Sequence, residues 1–207
     1  MESNKKSEEF FFYEAALVKR TLLFEDCINI VVGDGNLDAD ILFVGEAPGK
    51  NEDEQGIPFC GAAGKNLDKL LERVGLNKSD IYIANILKCR PPLNRDPNSE
   101  EIRAHTPWLL KQIKDMKPKV VCSLGNYATK FFLARGNVEE MKNQVGITQV
   151  HGKIQEIEME GLKFKLIPLF HPAAIIYNRN KLTPLWEEDM KIVKETIFGN
   201  QISREIV

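Results

Sequence analysis

No stretch of the sequence approaches the ~18 uninterrupted apolar residues of a membrane-spanning helix. The first nine residues, Met1 to Glu9, are polar and mixed in charge, where a secretory leader would place a basic segment before an apolar one. Membrane spans and classical secretion are not expected, and the reading is a cytoplasmic, intracellular protein. Cysteine is sparse: Cys27, Cys60, Cys89 and Cys122 are dispersed, with no C-x-x-C pair among them. That spacing gives no disulfide framework and implies reduced thiols. Net positive charge is missing too, with 28 Lys and Arg against 30 Asp and Glu. The balance argues against a long-footprint nucleic-acid binder, which draws its affinity from neutralised phosphates, but does not exclude a compact one. Neither a G-x-G-x-x-G fingerprint nor the G-K-[ST] ending of a P-loop occurs, so a nucleotide-binding or phosphate-handling α/β enzyme has little support.

What is present is globular in composition: 207 residues, 43% hydrophobic and 28% charged, with no repeat or low-complexity tract. One domain over residues 1–207 is expected, with an N-terminal helix in 1–26 and a frayed tail at 200–207. Short apolar runs at 28–32, 41–44, 81–86, 120–124 and 166–170 read as strands, and amphipathic stretches near 61–74, 98–116 and 126–134 read as helices. A last helix is expected over about 184–198, from Pro184 to Gly199. Segments 153–159 and 162–166, joined at Glu160-Gly161, read as a hairpin leading into the last core strand. The expected fold class is α/β: a three-layer α/β/α sandwich with a central, mainly parallel four-stranded sheet.

Ligands of open α/β sheets bind at the carboxyl ends of strands, and the unusual polar clusters of this chain all follow strands. Gly45-Glu-Ala-Pro-Gly49 can bring backbone N–H groups close to a ligand. The acidic run Glu52-Asp53-Glu54 would ordinarily be a solvated face. Phe59 could lay a ring on a flat substrate or simply pack in the core. Asn85 carries a donor and an acceptor able to read an amide or imide edge, or it forms a turn. Of three histidines, His171 follows an apolar strand and precedes a proline that fixes its direction, and His151 falls in a loop.

Together these segments resemble the uracil-DNA glycosylase superfamily, in particular its thermophile-type family 4. The residues that carry the resemblance are Asn29-Ile-Val-Val-Gly-Asp-Gly-Asn36, Phe43-Val-Gly-Glu-Ala-Pro-Gly49, Glu52-Asp53, Gly56-Ile-Pro-Phe-Cys-Gly-Ala-Ala-Gly64, Asn85-Ile-Leu-Lys-Cys-Arg-Pro-Pro-Leu-Asn-Arg95, Pro118-Lys-Val-Val121 with Leu124-Gly125, and His171-Pro-Ala-Ala174. They stand in family order. The resemblance implies a DNA repair enzyme of base excision, a hydrolase that flips uracil out of DNA, cleaves its N-glycosidic bond and leaves an abasic site. A damaged-DNA-binding module that has lost catalysis is the alternative, and the joint presence of Glu46, Asn85 and His171 speaks against it.

By the same resemblance Phe59 would stack on the base, Asn85 would bond its O4 and N3–H edge, and His171 would donate to O2. Glu46 would orient water or stabilise the cationic sugar, with the Ala47 backbone helping to bind the base; Glu52 and Asp53 are secondary candidates. Lys50, Lys65, Lys88, Arg90, Arg95, Arg179 and Lys181 are candidate DNA phosphate contacts. Ile175 and Ile176 would either wedge into the vacated stack or pack beneath a short helix, and Tyr177 stands where relatives often carry Arg. A monomer acting on uracil-containing DNA is implied. The segment from Arg90 to Ser99 is short and has no His, unlike the covalently trapping relatives, so turnover is expected.

Family 4 holds an iron–sulfur cluster on four cysteines. Cys89 matches one ligand position, His105 falls at another, and the N-terminal pair falls on Val18 and Thr21. One thiolate and one imidazole do not hold a cubane, so no cofactor and no metal are expected.

Overall fold

The computed structural model of the chain describes Leu23 and residues 27–199. Leu23 apart, the helix expected in 1–26 lies outside the described residues, as does the tail at 200–207. The strands are β1 (Asp34–Gly35), β2 (Ile41–Gly45), β3 (Ile81–Asn85), β4 (Val120–Leu124), β5 (Gln155–Met159) and β6 (Leu162–Leu169). The helices are α1 (Lys50–Gln55), α2 (Ala62–Arg73), α3 (Ser99–Met116), α4 (Gly125–Leu133), α5 (Ile147–Val150), α6 (Pro172–Tyr177) and α7 (Arg179–Phe198), with short 3-10 turns between some of them.

The sheet has six strands in the order β1-β3-β2-β4-β6-β5. The four inner strands are parallel, in a register that pairs Ile41 with both Ile81 and Val120 and sets Val120 opposite Lys165. The outer two are antiparallel. Every residue of β2, β3 and β4 is buried, as in a sheet covered on both faces. Alternate side chains feed opposite layers. Leu42, Val44, Tyr82, Ala84 and Val121 join Trp108 and Leu109 of α3 and Phe131 and Phe132 of α4. Ile41, Phe43, Ile81, Ile83, Val120 and Cys122 join Leu67 and Leu71 of α2 and Trp186 and Met190 of α7. The α/β/α sandwich is therefore present.

Three expectations need correction. The sheet has six strands rather than four, because the hairpin β5–β6 stays in it and β1 adds a second antiparallel edge. The run 28–32 is not a strand: Val31 and Val32 are apolar because they are buried, and Val31 N–H donates to the Lys88 carbonyl at 2.8 Å from outside the sheet. The last helix starts at Arg179 and keeps Pro184 inside its second turn, where the missing N–H forgoes one helical hydrogen bond. The hairpin itself turns at Glu160-Gly161, whose φ angles of 49° and 75° give the doubly positive geometry that matches strand twist.

Candidate active site

The chain passes from β2 to β3 on one side and later to β4 on the other. Such a switch of direction opens a crevice beyond the carboxyl ends of the strands. A cavity of about 180 Å³ lies there, lined by Ala47, Gly49, Glu52, Phe59, Ala63, Asn85 and His171. Gly45 and Asn85 are register partners at the ends of β2 and β3. A side chain at Gly45 would run into the Asn85 carboxamide oxygen and come within 2.9 Å of Phe59 Cζ. The absence of a Cβ there lets the asparagine and the ring face one space.

Asn85 is 2% exposed, yet its Oδ1 has no hydrogen-bond partner. A buried unpaired acceptor costs about 1–3 kcal/mol, a cost that a ligand donor would remove. Its backbone is held separately, because Lys88 Nζ donates to the Asn85 carbonyl at 2.9 Å and to Gln112 Oε1 at 2.5 Å. Phe59 is buried with φ of 52°, a left-handed backbone unusual for an aromatic residue. Gly64 permits this conformation: any Cβ there would overlap the Phe59 carbonyl. The Phe59 ring meets the His171 ring with centroids 5.7 Å apart and a 34° tilt.

His171 caps α6, and its Nδ1 accepts from Ala173 N–H at 3.2 Å. An accepting Nδ1 leaves the proton on Nε2, so the neutral ring presents a donor. Burial pushes its pKa down to about 4 and outweighs the opposing charge of Glu52. The turn is pinned from α2, where Asn66 Nδ2 donates to the Pro172 carbonyl at 2.9 Å. Glu52 is fixed by Gly61 N–H, which donates to its Oε1 at 2.8 Å. Glu46 stands at the start of the loop after β2; burial, and then the charge of Asp96, push its carboxyl up to about 7. The arrangement can hold a flat ring on Phe59, donate to it from His171, accept from it at Asn85 and keep one carboxyl group poised near neutrality.

The sequence model of the Uracil DNA glycosylase superfamily matches residues 32–191. A type-4 uracil-DNA glycosylase of Archaeoglobus fulgidus is 44% identical over 167 residues, 81% of each chain. That of Thermotoga maritima is 44% identical over 170 residues, 82% of this chain and 83% of its own. That of Sulfurisphaera tokodaii is 40% identical over 196 residues, 94% and 85% of the two chains. The chain belongs to the uracil-DNA glycosylase superfamily.

Several residues first considered for a glycosylase site serve elsewhere. Asp53 is buried and its Oδ1 accepts from the Ile28 and Asn29 amides at 2.8 and 3.2 Å, so it anchors the entering chain instead of facing the cavity. Lys88 is wholly buried and cannot reach a phosphate; its place in the apolar run from Ile86 to Cys89 was the overlooked signal. Arg95 is clamped by Glu101 through bonds of 2.5 and 2.9 Å. Ile175 is 0% exposed and therefore packs, while Ile176 is partly exposed and Tyr177 fully so. Lys65 and Arg179 are exposed, Lys50 pairs loosely with Glu54 at 3.7 Å, and Arg90 Nε donates to Asn94 Oδ1 at 2.6 Å. Outside the cavity, His151 Nδ1 pairs with buried Asp189 at 2.9 Å. Nothing in the sequence sets Asn66 apart from an ordinary helix residue, and Ala63 stands in a segment of the resemblance without a role of its own.

The cysteines depart furthest from expectation. Cys27 and Cys89 form a disulfide, with Cα atoms 5.5 Å apart and 62 residues between them in sequence. Dispersion along the chain concealed this, because the Val31–Lys88 bond lays the two segments side by side. The residues at the expected ligand positions do not make the four-thiolate set of the iron–sulfur cluster that the resemblance implies. Cys89 sulfur is committed to Cys27, His105 Nδ1 accepts from Lys88 N–H at 3.0 Å, and no group of three or more His, Cys, Asp or Glu among the described residues is placed to hold a metal. Denatured without reductant, the protein should show two reactive thiols, from Cys60 and Cys122, and four after reduction; four from the start would disprove the cross-link. Closing a loop of that length contributes about 4 kcal/mol, so reduction should lower Tm by roughly 10 °C.

Proposed function

We propose that the protein is a monofunctional uracil-DNA glycosylase that works without an iron–sulfur cluster, binding uracil flipped out of DNA and hydrolysing its N-glycosidic bond. The observation that carries this reading is the unpaired, buried Oδ1 of Asn85 at a cavity it shares with the Phe59 ring and neutral His171. Uracil offers N3–H to that oxygen and O4 to the Asn85 amide. Cytosine presents an unprotonated N3 and an amino group, the reverse order, and would meet acceptor with acceptor and donor with donor. Phe59 supplies the stacking face that repays part of the unstacking cost.

As the C1′–N1 bond breaks, its electron pair passes to the base and spreads to O2. Nε2–H of His171 donates to that oxygen, which stabilises the leaving uracil anion without requiring a full proton transfer. Water adds to the cationic C1′ and loses a proton, giving the abasic sugar, and the uracil anion is protonated from solvent. Glu46, as carboxylate, orients the water or balances the sugar's charge. Glu52, which lines the cavity, is the second candidate for either task. Exposed Lys65 and Arg179, with half-buried Arg90, supply backbone phosphate contacts. No lysine Schiff base is needed.

An oligonucleotide carrying one uracil, incubated with the protein and then cleaved with alkali, tests the proposal. Strand cleavage at the uracil, with free uracil released, is expected. Absence of release from both single- and double-stranded substrates would refute it, and binding without release would favour the non-catalytic module.

A further inference from the structure

His171 hangs between two anchors. On its carboxyl side, Asn66 Nδ2 holds the Pro172 carbonyl at 2.9 Å. On its amino side stands Phe170, which is buried and whose ring meets the His151 ring with centroids 4.6 Å apart and a 40° tilt. His151 is bound in turn by Asp189 of α7, its Nδ1 lying 3.0 and 2.9 Å from the two carboxylate oxygens. A carboxylate only accepts, so Nδ1 carries the proton and donates it. The backbone beside the ring is tied to the end of β6, because Gly152 N–H donates to the Pro168 carbonyl at 2.9 Å. Gly152 has φ of 69°, and a Cβ there would stand 2.2 Å from Asp189 Oδ1. The glycine thus lets the carboxylate close on the turn. An unbroken line of contacts runs from α7 through His151 and Phe170 to the residue that precedes His171.

Stability does not account for the pair. Asp189 is 4% exposed, and burial pushes its carboxyl up although the hydrogen bond from His151 pulls it down. A carboxylate whose desolvation outweighs its pairing adds little net free energy to the fold. What it does supply is direction: bonded to both oxygens, the imidazole has one orientation, and so has the ring packed on it. His171 has need of that, since the bond its own ring accepts, from Ala173 N–H to Nδ1, is at the long end of the range at 3.2 Å.

We propose that His151 and Asp189 are positioning residues for His171, holding the end of β6 so that Nε2–H points into the cavity at the oxygen that gains charge as uracil leaves. The inference rests on the uracil-excision reading and adds to it two residues outside the cavity. A donor aimed at developing charge loses its effect when misplaced, by up to about 10²-fold for a shift of about 1 Å.

The test is His151→Ala, beside Phe170→Leu, which keeps the pair and removes the ring packed on it, and Asp189→Asn, which still offers Nδ1 an acceptor. Single-turnover rates at saturating uracil-containing DNA are read together with proton–nitrogen NMR of the histidine rings near neutral pH. In the unaltered protein His171 should show a protonated Nε2 and a bare Nδ1. His151→Ala and Phe170→Leu should each lower the saturated rate about tenfold, change the half-saturating concentration by less than about twofold, and add an Nδ1-protonated form of His171. Asp189→Asn should keep most of the rate. General loosening of the fold would lower Tm and leave the His171 nitrogens where they are, and either of the first two variants decides the question if the other does not fold. An unchanged rate, unchanged His171 nitrogens, or a loss confined to DNA affinity would overturn the proposal. The spectra need no substrate, so a shifted tautomer in a protein that releases no uracil would uphold the positioning and overturn the excision reading beneath it.

Discussion

Asn85→Ala is expected to lower kcat/KM on uracil-containing DNA by about 10²–10³-fold, the scale of losing directed hydrogen bonds in a desolvated site, while leaving Tm unchanged or slightly raised. The two outcomes belong together. In the free protein the carboxamide oxygen is buried without a partner, so its removal deletes an unsatisfied polar group instead of breaking a structural bond. The strand end does not depend on it, because Lys88 holds the Asn85 carbonyl from behind. Residual activity should discriminate less between uracil and cytosine, since the donor–acceptor order that separates them is read at this side chain. Steady-state kinetics on matched uracil and cytosine substrates, alongside thermal melting, check the claim. Wild-type kcat/KM would remove the assigned role, and a large fall in Tm would make the residue structural.

Much of this site was legible because its residues follow strands, and in a doubly covered parallel sheet the ends of strands converge by topology alone. Gly45, Asn85 and His171 could be placed together from their order. What sequence could not supply was direction. Asp53 and Glu52 are neighbours, yet one turns towards the amides of residues 28 and 29 and the other towards the cavity. Both are acids in the first turn of one short helix, and which face each takes depends on a segment more than twenty residues away. Lys88 was misplaced for a related reason: a lysine beside a ligand loop suggests phosphate, but the stem and ammonium are buried among carbonyls. The six-strand sheet was hidden because β1 is only two residues long and carries no apolar alternation. The Cys27–Cys89 bond depends on a backbone pairing between distant segments, which spacing does not report.

The second large effect concerns pH. Glu46 is pushed up to about 7, first by burial and then by Asp96, whereas burial holds His171 near 4. If the Glu46 carboxylate orients water or balances the sugar cation, kcat should rise about tenfold per pH unit below an apparent pKa near 7 and level off above it. His171 stays neutral throughout that range and adds no limb of its own. Glu46→Gln should flatten the profile at a low rate. Asp96→Asn should shift the wild-type inflection to lower pH, because it removes a negative neighbour that opposes ionisation. Stability should move the opposite way. A carboxyl whose folded pKa lies above its unfolded value favours the fold while protonated, and that contribution is lost as pH rises from about 4.5 to 7. Glu46→Gln should therefore melt higher than wild type at pH 8 and equal to it near pH 4. The buried imidazoles of His171 and His105, both held near 4, act with the reverse sign: the unfolded chain takes up protons below about 6.5, so the fold loses stability between there and 4. Kinetics at the acid end thus need a parallel melt. A flat kcat between pH 6 and 8, or an inflection that ignores Asp96→Asn, would transfer the role to Glu52, the carboxylate already held at the cavity wall by Gly61 N–H.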